Sequence, residues 1–276
     1  MSRIVSDITH GSWAQRQQRV KLTTGIEMAY MEAGNLEGPP LILIHGYTDS
    51  GRSWLRTFAH FENDYHIFAL DLRGCGASDK PDQFAYTIVQ NAEDVVSFIK
   101  LKALQNVYVA GHSMGGMVAY TVGFMIPDCV KAIALVATGA RLHETPEMVR
   151  KNKTVREAMG IDKLPIDEIH PGHLDYPDQE NVKYYMECRN SLKSTYFRTA
   201  WWGMSLSDQS NFLQFIEAPV LIIWGNRDEL FTRASQDEML KLLPNAKFVE
   251  FNNTHEILCE APDAMAEVIR DFFEDK

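Results

Sequence analysis

Gly111-His112-Ser113-Met114-Gly115-Gly116 is the stretch that decides how this chain folds. It follows the apolar run Val107-Tyr108-Val109-Ala110 and precedes a helical pattern from Met117 to Ile126. Strand, sharp turn and helix, with a serine at the apex, is the context that a nucleophile elbow requires. Glycines flank the serine because a Cβ would clash in so tight a turn. The strained turn exposes the Ser113 hydroxyl and aims the next backbone N–H, that of Met114, at a reacting carbonyl. The string G-x-S-x-G alone is weak evidence. Its place between a core strand and a helix separates it from an ordinary glycine-rich turn.

On the N-terminal side of this stretch, Leu41-Ile42-Leu43-Ile44 and His66–Leu70 are continuous apolar runs suited to strands buried on both faces. Ile26–Ala33 alternates like a strand and closes on the turn-rich Gly34-Asn35-Leu36-Glu37-Gly38-Pro39-Pro40. A helical pattern runs from about Thr87 to Leu104. On the C-terminal side, Pro127 stops the elbow helix and Val130–Val136 reads as a strand. Strands at Val220–Trp224 and Lys247–Phe251 alternate with helices at Arg233–Leu243 and Pro262–Phe273. This alternation predicts an α/β fold: a mostly parallel central sheet with helices on both faces.

Between Arg141 and about Glu217 the character changes. The segment has no buried-strand run, is broken by Pro146, Pro165, Pro171 and Pro177, and carries many large apolar residues. It reads as a helical cap, residues 141–216, inserted into a core formed by residues 1–140 and 217–276.

A chain of 276 residues with 45% hydrophobic content can bury a large core. A formal net charge of -10 disfavours nucleic acid, whose phosphates call for basic patches, and disfavours anionic membrane surfaces. Cys75, Cys129, Cys188 and Cys259 are scattered without zinc-like spacing, as expected of reduced thiols in a cytoplasmic protein. Met1–Gly11 is polar and lacks the apolar core of a signal peptide, and no apolar run approaches a membrane span. His143, His170 and His173 fall in the expected cap without metal-ligand spacing, so no metal is expected, and no motif implies an organic cofactor.

A serine hydroxyl needs a base to take its proton and a group to orient that base. In parallel sheets such groups gather at the carboxyl ends of strands. After the Val220–Trp224 strand comes Gly225-Asn226-Arg227-Asp228, with Glu229 beside the aspartate. After the Lys247–Phe251 strand comes Asn252-Asn253-Thr254-His255-Glu256. The order Ser, Asp, His is the one associated with this elbow.

These motifs, with His45-Gly46 after the third strand and the Asp71–Ser78 loop, resemble the α/β-hydrolase fold superfamily over nearly the whole chain. The resemblance implies that Ser113 is the nucleophile, His255 the base and Asp228, rather than Glu229, its orienting carboxylate. It implies an oxyanion hole made by the backbone N–H groups of Tyr47 and Met114. His112 is expected to be a buried structural histidine. His45 is expected to orient its loop by donating a hydrogen bond, and Asp71, Arg73 and Ser78 to form a structural loop network.

The cap aromatics Trp201, Trp202, Tyr196 and Phe197 are candidates for an apolar acyl pocket, against the plainer expectation that they pack the cap. The function expected is a serine hydrolase acting on a small-molecule ester or lactone. Alternatives are a carbon–carbon bond hydrolase of ring-fission products and a perhydrolase or haloperoxidase-like activity. Of a different class is a non-catalytic ligand receptor on the same fold.

Overall fold

The computed structural model describes residues 3–4, 7–81, 86–143 and 179–276. Nine strands form one sheet: β1 (Arg3–Ile4), β2 (Gln18–Lys21), β3 (Glu27–Asn35), β4 (Pro40–Ile44), β5 (His66–Leu70), β6 (Val107–His112), β7 (Val130–Val136), β8 (Val220–Gly225) and β9 (Lys247–Phe251). Their order is β1-β3-β5-β4-β6-β7-β8-β9, with β2 also paired to β3. Pairings from β5 through β9 are parallel, and those made by β3 are antiparallel. His45 therefore follows the fourth strand rather than the third, because β1 and β2 precede β3.

The apolar runs are continuous because both faces of the sheet are covered. Side chains alternate across a strand. Leu41 and Leu43 of β4 join the cluster containing Trp54, Phe58, Phe61, Met265, Ile269 and Phe272. Ile42 and Ile44 join the opposite cluster, with Ile88, Val95, Ile99, Met117, Val118 and Met239. The first layer thus holds α1 (Trp13–Arg16), α2 (Phe58–Phe61) and the C-terminal helix Pro262–Glu274, and the second holds α3 (Ile88–Leu101), α4 (Met114–Met125) and the helix Arg233–Leu242.

Helix α3 starts in a capping box: the Thr87 side chain accepts from Gln90 N, and the Gln90 side chain accepts from Thr87 N. It stops at Leu101 rather than Leu104; Ala103 and Asn106 then adopt φ of 52° and 53°. Helix α4 begins at Met114 rather than Met117. Gly115 and Gly116 lie inside its first turn, where the chain is crowded. A Cβ on Gly115 would sit 2.4 Å from the carbonyl oxygens of Ile44 and His45, and one on Gly116 would sit 2.6 Å from Thr138 Cγ2.

The β5–β6 loop is held as expected. Asp71 accepts from the backbone N–H groups of Gly51 and Ala77 and from the Gln17 side chain, each at 2.8 Å. Ser78 Oγ donates to Asp71 O at 2.6 Å and accepts from Ala29 N at 2.8 Å. Arg73 pairs with the buried Asp94 through Nε at 2.6 Å and Nη2 at 2.7 Å.

Of the segment expected to form the cap, residues 144–178 lie outside the described residues, with His170, His173 and all four of its prolines. The described remainder contributes α5 (Gln179–Asn190), α6 (Ser194–Ser205) and α7 (Ser210–Leu213) between β7 and β8. Neighbouring β5 and β6 lie on opposite sides of β4. The loops leaving β4 and β6 therefore open a crevice at the carboxyl ends of these strands, where α/β sheets place ligands.

Candidate active site

Ser113 sits at this crevice in a backbone conformation of φ 54° and ψ -120°. That conformation is costly for a residue with a Cβ, and the surroundings enforce it. Ser113 N donates to Val136 O at 2.8 Å, tying the turn to β7. A Cβ on Gly111 would lie 2.2 Å from Gly115 O, so strand and helix approach as closely as glycine allows. Met114, the first residue of α4, places its N–H at a helix N-terminus, where the backbone dipoles favour negative charge.

Three strand ends bring the predicted side chains together. Ser113 Oγ, after β6, lies 2.9 Å from His255 Nε2, after β9. His255 Nδ1 lies 2.8 Å from Asp228 Oδ2, after β8. The second oxygen of Asp228 accepts from the N–H groups of Leu230 at 2.8 Å and Phe231 at 3.0 Å. Asp228 is thereby locked in place, while its neighbour Glu229 is exposed. Burial alone would lower the pKa of His255. The charge and hydrogen bond of Asp228, with Glu256 behind them, outweigh burial and raise it to about 9.

Two further histidines are neutral. His45, fully buried, accepts from Leu72 N through Nε2 at 3.0 Å, so Nδ1 carries the proton and donates to Gly46 O at 2.7 Å. Burial pushes its pKa down to about 4. His112 is also buried, and its Nε2 lies 3.0 Å from the carbonyl oxygen of His255.

The crevice encloses a cavity of about 140 Å³. Ser113 and His255 line it together with the loop Gly46–Asp49 from the end of β4. Leu142, Trp201, Met204, Leu230 and Phe231 supply apolar wall, and Tyr185, Asp49 and Glu256 add polar groups. Burial raises the pKa of Asp49 to about 7 and raises that of Glu256.

A family profile described as alpha/beta hydrolase fold matches residues 39–160. Lipase 1 of Psychrobacter immobilis is 23% identical over 284 residues, covering 91% of this chain and 82% of the relative. The enol-lactonase from Burkholderia xenovorans LB400 superposes with a TM-score of 0.78 at 22% identity, covering 94% of this chain and 100% of that one. A membrane phospholipase A described as a bacterial virulence factor superposes with the same TM-score at 27% identity, covering 94% and 87%. The chain has the alpha/beta-hydrolase fold. Relatives of these kinds support hydrolase activity at that general level.

In this hydrolase-fold chain the four aromatics expected in the cap have different positions. Trp201 reaches the cavity wall. Trp202, the next residue, is 39% exposed and does not. Tyr196 is buried against Cys75 and Tyr86, with its hydroxyl 2.9 Å from Cys75 Sγ. Phe197 packs edge-on against Tyr47 and under Arg189. Among the described residues no group of three metal-ligating side chains forms, and His143 bonds to Glu238 at 2.9 Å. No helix among them is long and apolar enough to cross a membrane.

Some residues at the site escaped the sequence reading. Glu260 clamps the histidine loop, accepting from Asn253 Nδ2 at 2.9 Å and from Thr254 N and Oγ1 at 2.8 Å each. Tyr185 and Arg189 reach the β4 loop from α5. Their four-residue spacing, which places both on one side of a helix, was the available signal.

Proposed function

We propose that the chain is a serine hydrolase cleaving a carboxylic ester or lactone of a small to medium, mainly apolar substrate. The observation that carries this reading is the unbroken relay from Ser113 Oγ through His255 to Asp228, at 2.9 and 2.8 Å, on the wall of a cavity. Ser113 Oγ bonds to the substrate carbonyl carbon as its proton passes to His255 Nε2. Asp228 keeps the Nδ1 proton in place and stabilises the imidazolium. Collapse of the tetrahedral intermediate expels the alkoxide, which takes the proton from Nε2. Water then attacks the acyl carbon while giving a proton to His255. The second collapse breaks the bond to Ser113 Oγ, returns its proton and frees the acid.

Negative charge on the carbonyl oxygen would be met by the N–H groups of Met114 and Tyr47. The position of Met114 at the start of α4 and of Tyr47 on the cavity wall supports that assignment. The apolar wall from Leu142, Trp201, Met204 and Phe231 suits an acyl or alkyl group. Hydrolysis of p-nitrophenyl acetate and butyrate tests the reading. Turnover that is lost in Ser113→Ala, with a fluorophosphonate adduct on Ser113 in the parent chain, is the expected result. No turnover and no adduct would make the protein a receptor on this fold.

A further inference from the structure

Thr48, the residue after Tyr47, has a φ of 64°. A β-branched residue is rarely found in that region. Its persistence means that surrounding structure over-determines it. The contacts that do so come from the cap side. Thr48 Oγ1 lies 3.1 Å from the Tyr185 hydroxyl and accepts from Arg189 Nη1 at 3.3 Å. Arg189 is itself buried, with its guanidinium 4.8 Å from the centroid of the Phe197 ring. The carbonyl of Phe197 in turn accepts from the Tyr47 hydroxyl at 2.6 Å. Residues 47 and 48 are thus each hydrogen-bonded to a helix that lies outside the sheet layers. On the other side the loop has no slack. A Cβ on Gly46 would stand 3.1 Å from His112 Nδ1 and 3.2 Å from Ser113 Cβ.

We propose that Arg189 is a positioning residue: acting through the Thr48 hydroxyl, it holds the β4 loop in its left-handed turn and so aims the Tyr47 N–H at the developing oxyanion. Arg189 does not line the cavity, and its hydrogen bond to Thr48 connects it to the loop that does. Seating of α5 against the core then becomes a condition for a complete oxyanion hole. The inference rests on the serine-hydrolase reading, and the experiment separates the two.

Thr48→Val keeps the branched shape and removes the hydroxyl, and Thr48→Ser keeps the hydroxyl. Each is compared with Arg189→Met on p-nitrophenyl butyrate. Loss of an oxyanion donor costs about 100- to 1,000-fold in kcat, and a misaimed donor should forfeit at least about tenfold of that. The expected result is such a kcat loss in Thr48→Val and in Arg189→Met, with KM within about threefold of the parent. Thr48→Ser should recover most of the loss. The Thr48→Val/Arg189→Met double variant should be no slower than the worse single one, because both act through one contact. Affinity for a trifluoromethyl ketone, which forms a tetrahedral adduct on Ser113, should fall in step with kcat/KM, and butyrate inhibition should not change. If Arg189→Met fails to fold, Thr48→Val, which replaces only the hydroxyl, and Thr48→Ser, which removes only the methyl, still decide. Unchanged kcat in Thr48→Val, a loss confined to KM, or multiplicative losses in the double variant would overturn the proposal. Absence of turnover and of a Ser113 adduct in the parent chain would instead remove the hydrolase reading, and this inference with it.

Discussion

The ring of His112 holds the main chain of His255: His112 Nε2 lies 3.0 Å from the His255 carbonyl oxygen. A carbonyl can only accept, so Nε2 carries the proton and Nδ1 is bare. Burial, and the neighbouring His255, push the His112 pKa down to about 4, which keeps the ring neutral near physiological pH. The elbow thus meets His255 twice, through the Ser113 hydroxyl and through the ring of the residue before it.

His112→Ala should therefore misplace the base without removing it. A displacement of about 1 Å can cost about 100-fold. The expected result is a loss of about 10- to 100-fold in kcat/KM on p-nitrophenyl butyrate, with fluorophosphonate labelling of Ser113 slowed in proportion. Parental activity in this variant would mean that the contact only fills space.

The raised pKa of His255 fixes the sign of the pH dependence. The imidazole must be neutral to take the Ser113 proton. Raising its pKa to about 9 moves the acid limb of kcat/KM above the ordinary histidine value of 6.5, so activity should climb from pH 7 to pH 9. Asp228→Asn removes the charge that lifts the imidazole and the acceptor that orders it. The limb should move to lower pH while the rate falls by about 10,000-fold. Glu256→Gln removes a smaller lifting charge and should move the limb the same way with little loss at the plateau. A limb at or below pH 6.5 in the parent chain would contradict the arrangement.

Much of this was legible in the sequence because the candidate catalytic side chains stand at strand ends. Val130–Val136 and Lys247–Phe251 read as strands with the bounds they have in the fold, and Asp228 and His255 stand in the loops that follow β8 and β9. What stayed hidden depends on contacts between distant parts of the chain. Arg189 meets Thr48 across 141 positions, and no local pattern announces that pairing. The start of α4 departs from the apolar pattern for a different reason. Gly115 and Gly116 are poor helix formers by propensity, yet packing against Ile44, His45 and Thr138 makes them necessary in the first turn.

Trp201 and Trp202 illustrate a second limit. Adjacent residues on a helix point about 100° apart, so only one of the pair can face a given cavity. Composition alone cannot choose between them. The fold does: Trp201 is 2% exposed and lines the cavity, whereas Trp202 faces outward. Trp201→Ala should enlarge the pocket and shift preference from p-nitrophenyl acetate toward the octanoate by about tenfold or more in the ratio of kcat/KM values. Trp202→Ala should leave that ratio within about twofold. An unchanged ratio in both variants would reduce Trp201 to packing.

Ser113 also links stability to activity. Its φ of 54° and ψ of -120° belong to a region that is costly for any residue with a Cβ, by about 1–3 kcal/mol. Glycine adopts positive φ without that cost, but loses about 0.5–1 kcal/mol through the greater freedom of its unfolded chain. The strain is the larger quantity. Ser113→Gly should therefore be more stable than Ser113→Ala by about 1 kcal/mol, or about 2–4 °C in Tm for a domain of this size. Both variants lack the hydroxyl, so the comparison isolates the backbone. Denaturant titrations of the two proteins at one pH provide the measurement. A Ser113→Ala protein as stable as Ser113→Gly would show that the elbow is relaxed and that the turn owes its shape to the flanking glycines alone.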